Sequence, residues 1–540
     1  MRHKKKKSRW AAELSLCPPT SPSPSTAAAA TAASSSSESD DGGDDLLTQL
    51  PDTIRLHILT LLPLKYAIRT GALSSRWRGL WRLRWPHPAA LQFSPSSTAL
   101  TDSAEQFVSS IDRCLSFRDR SLRIDSLSLA LPPGRRYDAD IKRWLEYASC
   151  CGVEDLHLAV SFPSAATTSA RPARRAARRN DRAAVPTAFF FSICECSNLS
   201  RLTLCGLHLA SPGANIKRLS SLEVLSLYAT PVTDAALKRI IAACPRLRSL
   251  DLSFCRKLRR IAITATGSPL TSLTIIDCVR AVEVTVSAPG LRRFRFAGNY
   301  LTTYTFDNPS RLEDVHILAG IPVSSLPRSN WVKVLCGLFN LKVLTLCNLS
   351  LQCVPLFSFQ YIVVEGAKLM GGLRSLRSLR EIQLVMGMMT DENLMDIYGF
   401  FRLCECPRLE KLFIELPTNT RDPFVEKYLE ISEEDPPEVE FEYLKMIKIS
   451  NFKDHSNEMR LVRFLLEKAS SLESFVVVAP KELVGDEYNK RDPNARSDFL
   501  QYLQLKLSSI QKVPLRRQII LSDHDDNKFR PTHWDVYSTV

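Results

Sequence analysis

Between Leu46 and Leu83 the apolar residues Ile54, Ile58, Leu61 and Leu62 recur at intervals of three and four, the spacing of one helix face. Leu56 and Leu59 widen that face beyond what a helix lying in water usually carries, so it needs cover on two sides. Pro51 suits a first helical turn, where its missing N–H is no loss, and Pro63 ends the run. Two more short helices are predicted over Leu64 to Thr70 and Ser74 to Leu83, parted near Gly71. A unit of about 40 residues buries little surface alone, so its surplus apolar side chains imply a partner: another protein or the rest of the chain.

Further on, Ala104 to Phe117 is amphipathic, Ile124 to Leu131 alternates like a strand, and Ile141 to Ala148 is helical in pattern. Then a template, Leu-x-x-Leu-x-Leu, repeats. It occurs as Leu199/Leu202/Leu204, Leu222/Leu225/Leu227, Leu247/Leu250/Leu252 and Leu270/Leu273/Ile275, then Leu291/Phe294/Phe296, Leu312/Val315/Ile317 and Leu341/Leu344/Leu346. The first six starts are 23, 25, 23, 21 and 21 residues apart, the signature of leucine-rich repeats, each giving one strand to a curved parallel sheet. Looser copies begin at Leu379, Leu409, Leu444 and Leu472, and weak forerunners are Ile124/Leu127/Leu129 and Val153/Leu156/Leu158.

Alternation along a strand puts the template residues in the core and the residues between them on the open concave face. That face carries Tyr228, Asp251, Arg293, Arg295, Asp314 and His316, an aromatic and charged set able to anchor a protein or peptide. A solvated sheet face with no dedicated partner is the other reading. Cys196, Cys244 and Cys406 lie three residues before a template Leu, in a register that Ala288 and Ala469 share, which asks for a small buried side chain. Cys255 and Cys278 lie eight residues after one, inside the turn that follows the strand.

The order Leu50-Pro51, Ile54, Ile58-Leu59, Leu62-Pro63-Leu64, Leu73-Ser74, Arg76-Trp77-Arg78 and Leu80-Trp81 resembles the F-box, in the form common in plant proteins. The resemblance implies a helical unit that docks on a Skp-family adaptor, and through it on a cullin, in an SCF-type ubiquitin ligase. The adaptor-facing residues it implies are Leu50, Pro51, Ile54, Ile58, Leu59, Leu62, Pro63, Leu64, Leu73, Trp77, Leu80 and Trp81. Leu444 to Phe452, Asn457 to Met459, Leu461 to Ala469 and Leu472 to Phe475 are similar to the FBD region of plant F-box proteins with leucine-rich repeats. Physically that stretch reads strand, turn, helix, strand, and a terminal repeat that caps the sheet has the same pattern.

Charge changes the picture little. Residues 1–10 and 171–182 carry eleven of the fourteen net positive charges, both within low-complexity sequence, so the rest is near neutral and no nucleic-acid partner is expected. Lys4 to Lys7 are either a nuclear-import signal or a solvated tail. No run is apolar enough for a membrane span or a secretory leader, and fifteen scattered cysteines suit reduced thiols, so nucleus and/or cytoplasm is expected. Nine dispersed histidines and no phosphate-cradling motif leave no catalytic set, no metal site and no cofactor to expect.

The predicted fold is α/β: a helical F-box followed by a leucine-rich-repeat solenoid with a helical or irregular convex side, behind a disordered tail. The divisions are 1–45 tail, 46–85 F-box, 86–150 linker with candidate degenerate repeats, and 151–440 solenoid with a basic disordered insertion near 161–186. Residues 441–480 form the FBD-like terminal repeat and 481–540 a partly mobile end. The expected function is a non-catalytic substrate receptor of an SCF-type ligase, its F-box on the adaptor and its repeats on an unidentified target protein; a non-degradative interaction scaffold needs the same two surfaces.

Overall fold

The computed structural model describes residues 46–62, 64–72, 74–84, 89–95, 104–116, 118, 120–132, 137–160, 187–189, 193, 195–210, 219–265, 267–299, 302–319, 334–335, 337–351, 376–404, 406–418, 436–481, 495–510, 518–525 and 529–534. The expectations for the tail 1–45, the insertion 161–186, Pro63 and Leu73 fall outside these residues. The chain forms two units, Met1–Leu222 and Glu223–Val540.

The first unit opens with helices at Leu46–Gln49, Asp52–Leu61 and Leu64–Arg69. Pro51 stands at the N-cap of the second, its carbonyl accepting from the N–H groups of Ile54 and Arg55, each at 3.0 Å. The third helix predicted from Ser74 does not form. Turns lead instead to a short 3-10 segment at Leu80–Arg84, because Gly79 sits at φ 87°, a left-handed conformation that interrupts a right-handed helix. Leu59, Ala67 and Trp77 make the interior of this module, with Ile58, Leu62, Leu80 and Trp81 packed against them. Arg55 is buried beside them, donating through Nη1 to the Arg76 carbonyl at 2.9 Å and paired through Nη2 with Asp52.

The same unit holds four parallel strands that pair in chain order: β1 (Ala89–Phe93), β2 (Ile124–Leu131), β3 (Asp155–Val160) and β5 (Arg201–Cys205). Leu127, Leu156 and Leu202 stand in register, so both forerunner repeats belong to the sheet, which starts in the stretch assigned to the linker. Helices Ala104–Ser116 and Asp138–Cys150 return the chain between strands. A separate pair joins β4 (Thr187–Phe189) to β6 (His208–Ala210).

The second unit contains β7 (Val224–Tyr228), β8 (Ser249–Ser253), β10 (Ser272–Ile276), β12 (Arg293–Gly298), β14 (Asp314–Ala319) and β15 (Val343–Cys347). The sheet continues through β16 (Glu381–Val385), β17 (Lys411–Glu415), β18 (Met446–Ser450), β19 (Ser474–Val478) and β20 (Gln518–Ser522), all parallel neighbours in that order. Their template residues face inward: Leu225, Leu250, Leu273, Leu344, Ile382, Leu412 and Ile447 are fully buried. Register is fixed by a repeated carbonyl. Glu223 O accepts from Arg248 N and Ser249 N at 2.7 and 3.0 Å, Arg248 O from Thr271 N and Ser272 N, and so on to Lys445 O beneath Glu473 N and Ser474 N.

After β7, β8, β10 and β18 the chain turns through a non-glycine residue at positive φ: Ala229 (49°), Phe254 (56°), Asp277 (51°) and Asn451 (62°). Such a residue costs on the order of 1 kcal/mol, offset where its N–H reaches the next strand's end, as Ala229 to Ser253 O and Phe254 to Ile276 O, both 2.8 Å. Cys255 and Cys278 sit inside these turns and donate from sulfur to Leu227 O at 3.4 Å and Leu252 O at 3.8 Å. A hydrogen bond with Cys255, then burial, push the Cys278 thiol well above its ordinary pKa, so these are structural thiols. Cys196, Cys244, Cys406, Ala288 and Ala469 are all buried, as their shared register predicts.

The convex side has the expected helical returns and, in one stretch, strands that the pattern of helical or irregular returns did not include. Between β8 and β14 the chain returns through three parallel strands, β9 (Arg260–Thr264), β11 (Glu283–Ser287) and β13 (Thr303–Phe306). Period-two pairs, Ile261/Ile263 and Val284/Val286, bury one side of this small sheet, and Tyr304 stacks edge-on against Phe296 at 5.2 Å to join it to the main one. Other returns are helical: Asp234–Ala243, Asp391–Leu403, Ser456–Lys468 and Ala495–Ile510. The FBD-like stretch forms β18, a helix and β19 in the predicted order. It is not terminal: helix Ala495–Ile510 and β20 add one more strand, so the segment after 481 extends the sheet.

Trp77→Ala removes the largest side chain from the N-terminal module's interior, at a cost of about 3–5 kcal/mol, more than so small a core can spare. Limited proteolysis is expected to cut within 46–84 in this variant and not in the wild type. A second expectation concerns Asp396, which is buried with Oδ2 lacking a hydrogen-bond partner among the described residues. Burial, then the charge of Glu392, push its pKa up to about 7. The folded state therefore holds a proton that the unfolded chain releases near pH 4, and stability falls as pH rises from about 4 through 7. Asp396→Asn is expected to raise the melting temperature at pH 8, by an amount corresponding to on the order of 1 kcal/mol, and to change it little at pH 4.

Candidate functional site

Two surfaces carry the chemistry, one in each unit. On the N-terminal module, helix Asp52–Leu61 leaves Ile54 47% and Leu61 72% exposed, outside the cluster around Trp77. Leu47, Tyr66 and Leu83 are exposed apolar residues of the same module. Of the twelve residues predicted to face an adaptor, Pro51 and Ile54 are exposed, and Leu50, Ile58, Leu62, Leu80 and Trp81 are partly buried. Leu59 and Trp77 are interior, which corrects the prediction for them: they hold the helices together, and others present the surface. Leu64 opens its helix, while Pro63 and Leu73 lie outside the described residues. Leu61 was missed because its helical spacing reads equally as core.

The second surface is the concave face of the second unit. From β7 to β10 burial alternates along each strand, with one side in the core and the other partly open. From β14 onward the alternation disappears and nearly every position is buried, on β14, β16 and β18 alike. The cover comes from the chain's own Asp525 and residues 529–534, whose contacts run back across the strands against the order in which they were added.

Lys448 on β18 donates from Nζ to Asp525 Oδ1 at 2.7 Å and to Phe529 O at 2.8 Å. Thr532 N donates to Glu381 Oε1 on β16 at 2.6 Å. His533 is buried between β14 and β15, with Nε2 2.5 Å from Asp314 Oδ1 and Nδ1 2.6 Å from Thr345 Oγ1. Thr345 also donates to Gln383 at 3.3 Å, and Arg295 Nη2 lies 4.0 Å from Asp314 Oδ2. The Asp314 carboxylate is thus held between a guanidinium and an imidazole. The His316 ring meets His533 edge-on at 5.2 Å, and neither His316 nitrogen has a hydrogen-bond partner among the described residues. Burial, then the neighbouring His533 and Arg295, push its pKa down to about 3, so the ring is neutral.

The six residues predicted on this face therefore divide. Tyr228, 39% exposed, packs on Phe254 at 5.0 Å, and Asp251 accepts from Ser226 at 3.1 Å; with Arg293 and Arg295 they keep solvent access. Asp314 and His316 lie beneath the C-terminal segment. Thr345, Glu381, Gln383 and Lys448 were missed although they occupy the same alternating positions in later copies of the template. His533 and Asp525 had no signal, since nothing local ties them to strands up to 219 residues away.

Asp314, His533 and Thr345 have the order of a carboxylate, imidazole and hydroxyl relay, yet the Thr345 hydroxyl is fully buried with both neighbours engaged. In this arrangement the three side chains hold one another and the C-terminal segment. Among the described residues no cluster of His, Cys, Asp or Glu is placed to hold a metal ion, and no helix is long and apolar enough to cross a membrane. Cys404 and Cys406 approach to 3.2 Å between sulfurs, both buried.

Comparison with known proteins adds the family. The F-box domain matches residues 47–88, and the family described as At1g61320/AtMIF1, LRR domain, matches 121–497. F-box/LRR-repeat protein 13 of Arabidopsis thaliana is 25% identical over 86% of this chain and 95% of its own length. F-box/FBD/LRR-repeat protein At1g78750 of the same plant is 24% identical over 82% and 92%. F-box/LRR-repeat protein At3g03360 is 28% identical over about half of each chain. With the leucine-rich-repeat match spanning more than half of the sequence and the F-box in front of it, the chain belongs to the F-box/FBD/LRR family of plant proteins.

Proposed function

We propose that this protein is the target-binding subunit of an SCF-type ubiquitin ligase. The N-terminal module docks on a Skp-family adaptor and, through it, on a cullin. The repeat face holds a target protein within reach of the enzyme that transfers ubiquitin, so this chain contributes proximity and no catalytic group. It works in the nucleus or cytoplasm, where the adaptor and reduced thiols coexist.

The observation that carries the reading is the N-terminal module itself. It matches the F-box domain, folds around Leu59 and Trp77, and leaves Ile54 and Leu61 outside that core. Apolar side chains exposed on a module this small need a partner surface. The open residues Tyr228, Asp251 and Arg293 give the second unit a place to meet a target.

Ile54→Glu with Leu61→Glu changes the outer surface and leaves the interior intact. Full-length protein is co-expressed with a plant Skp-family adaptor, and the complex is measured by co-purification and titration. Wild type is expected to form a stoichiometric complex. The double variant, folded by circular dichroism, is expected to bind at least about 30-fold more weakly, as for a pair of interface hot spots. Adaptor binding by the variant at wild-type strength removes the docking assignment. A wild-type complex that assembles with cullin yet transfers no ubiquitin to a captured target favours a non-degradative scaffold.

A further inference from the structure

Asp525 and residues 529–534 lie on the concave face as a peptide lies in a receptor. Hydrogen bonds join these residues to side chains of the sheet: Asp525 and Phe529 O to Lys448, Thr532 N to Glu381, His533 to Asp314 and Thr345. Two of these bonds use backbone groups, Phe529 O and Thr532 N, the latter within a turn closed by Trp534 N on Pro531 O at 3.2 Å. The other contacts read two side chains, a carboxylate and, eight positions later, an imidazole.

We infer that the concave face from β14 to β18 is a recognition groove for a turn-bearing segment of the target carrying that pair, and that Asp525 and residues 529–534 occupy it in cis as a stand-in. This deepens the target-receptor reading of the repeat face and rests on it. The partner is a peptide segment with an acidic side chain about eight residues before a histidine or similar hydrogen-bonding ring.

Three observations support the assignment. First, the groove is specific: Asp314 is poised by Arg295 and Thr345 by Gln383, groups of the sheet itself, so these two are positioned independently of the segment. Second, His316 lies under His533 with both nitrogens buried and no partner among the described residues. A purely structural cover would gain by satisfying that ring, whereas a ligand with one more donor or acceptor could do so and bind better than the resident segment. Third, Tyr228, Asp251 and Arg293 remain accessible on β7, β8 and β12. A target can engage these first and then compete for the covered strands, so exchange requires no prior opening of the whole face. The charged and titratable groups facing the contact are Arg295, Asp314, His316, Glu381, Glu415, Lys448, Asp525 and His533.

The test uses full-length protein and a fluorescein-labelled synthetic peptide of residues 522–536, read by fluorescence anisotropy. Wild type, its groove filled, is expected to bind the peptide at least tenfold more weakly than the Asp525→Ala, His533→Ala variant. Adding Asp314→Ala to that variant is expected to abolish the gain. A folded double variant that binds no better than wild type overturns the inference. Should the double variant fail to fold, hydrogen exchange on wild type decides: the Thr532 amide exchanging at least 100-fold faster than the amides of β15 supports an exchangeable segment, and equal protection overturns it. Adaptor co-purification with the same proteins separates the two claims. Its failure in wild type would sink the ligase reading and leave the groove standing, while intact adaptor binding with no peptide binding would sink the groove alone.

Discussion

One hydrogen-bond arrangement organises the second unit. The carbonyl of the residue just before each strand receives two N–H groups from the start of the next, from Glu223 under β8 to Lys445 under β19. Because both donors are backbone, the register does not depend on side-chain identity at those positions. It fixes which residues face inward, so Leu250, Leu273 and Phe294 stack in one row while Asp251, Thr274 and Arg295 form another on the open face. A slip of one residue would exchange the rows and bury charge.

With register secured on the strand side, the return segments are free to differ. The second unit uses helices where the sequence has a period near 3.6 and a three-stranded sheet where it has a period of two. Both solutions bury one apolar side against the same inner row, and both deliver the chain one strand spacing further along. The concave face is therefore composed independently of the convex one. That independence allows a face with an aromatic and acidic region near β7 and β8 to give way to a buried polar one from β14 onward.

The strands and their facing were legible in the sequence because alternation and spacing are local properties. All eleven Leu-x-x-Leu-x-Leu copies from Leu199 to Leu472 carry a strand. β20 was not legible, since Arg516 stands where the template wants an apolar residue, yet Ile519 and Leu521 still complete its inner side. The third N-terminal helix failed for a different reason: its apolar spacing is correct, but Gly79 adopts a conformation that spacing does not reveal. Ile261 and Ile263 did signal a strand on the convex side, and the expectation of helical or irregular returns there hid it. The site was only half visible. Asp314 and His316 could be placed on the concave face from alternation, but their cover comes from residues some 200 positions downstream, and a one-dimensional pattern has no term for such contact.

The direction in which the C-terminal segment crosses the sheet sets an order of events during synthesis. Every strand it touches, from β14 to β18, is made before Asp525, and β19 and β20 must be added before the chain can turn back. At the roughly 5–20 residues per second of translation, the interval between β18 and His533 is on the order of ten seconds. Until then the residues that bury Asp314, His316, Thr345 and Lys448 have not been made. The covering residues are thus the last part of this face to be made.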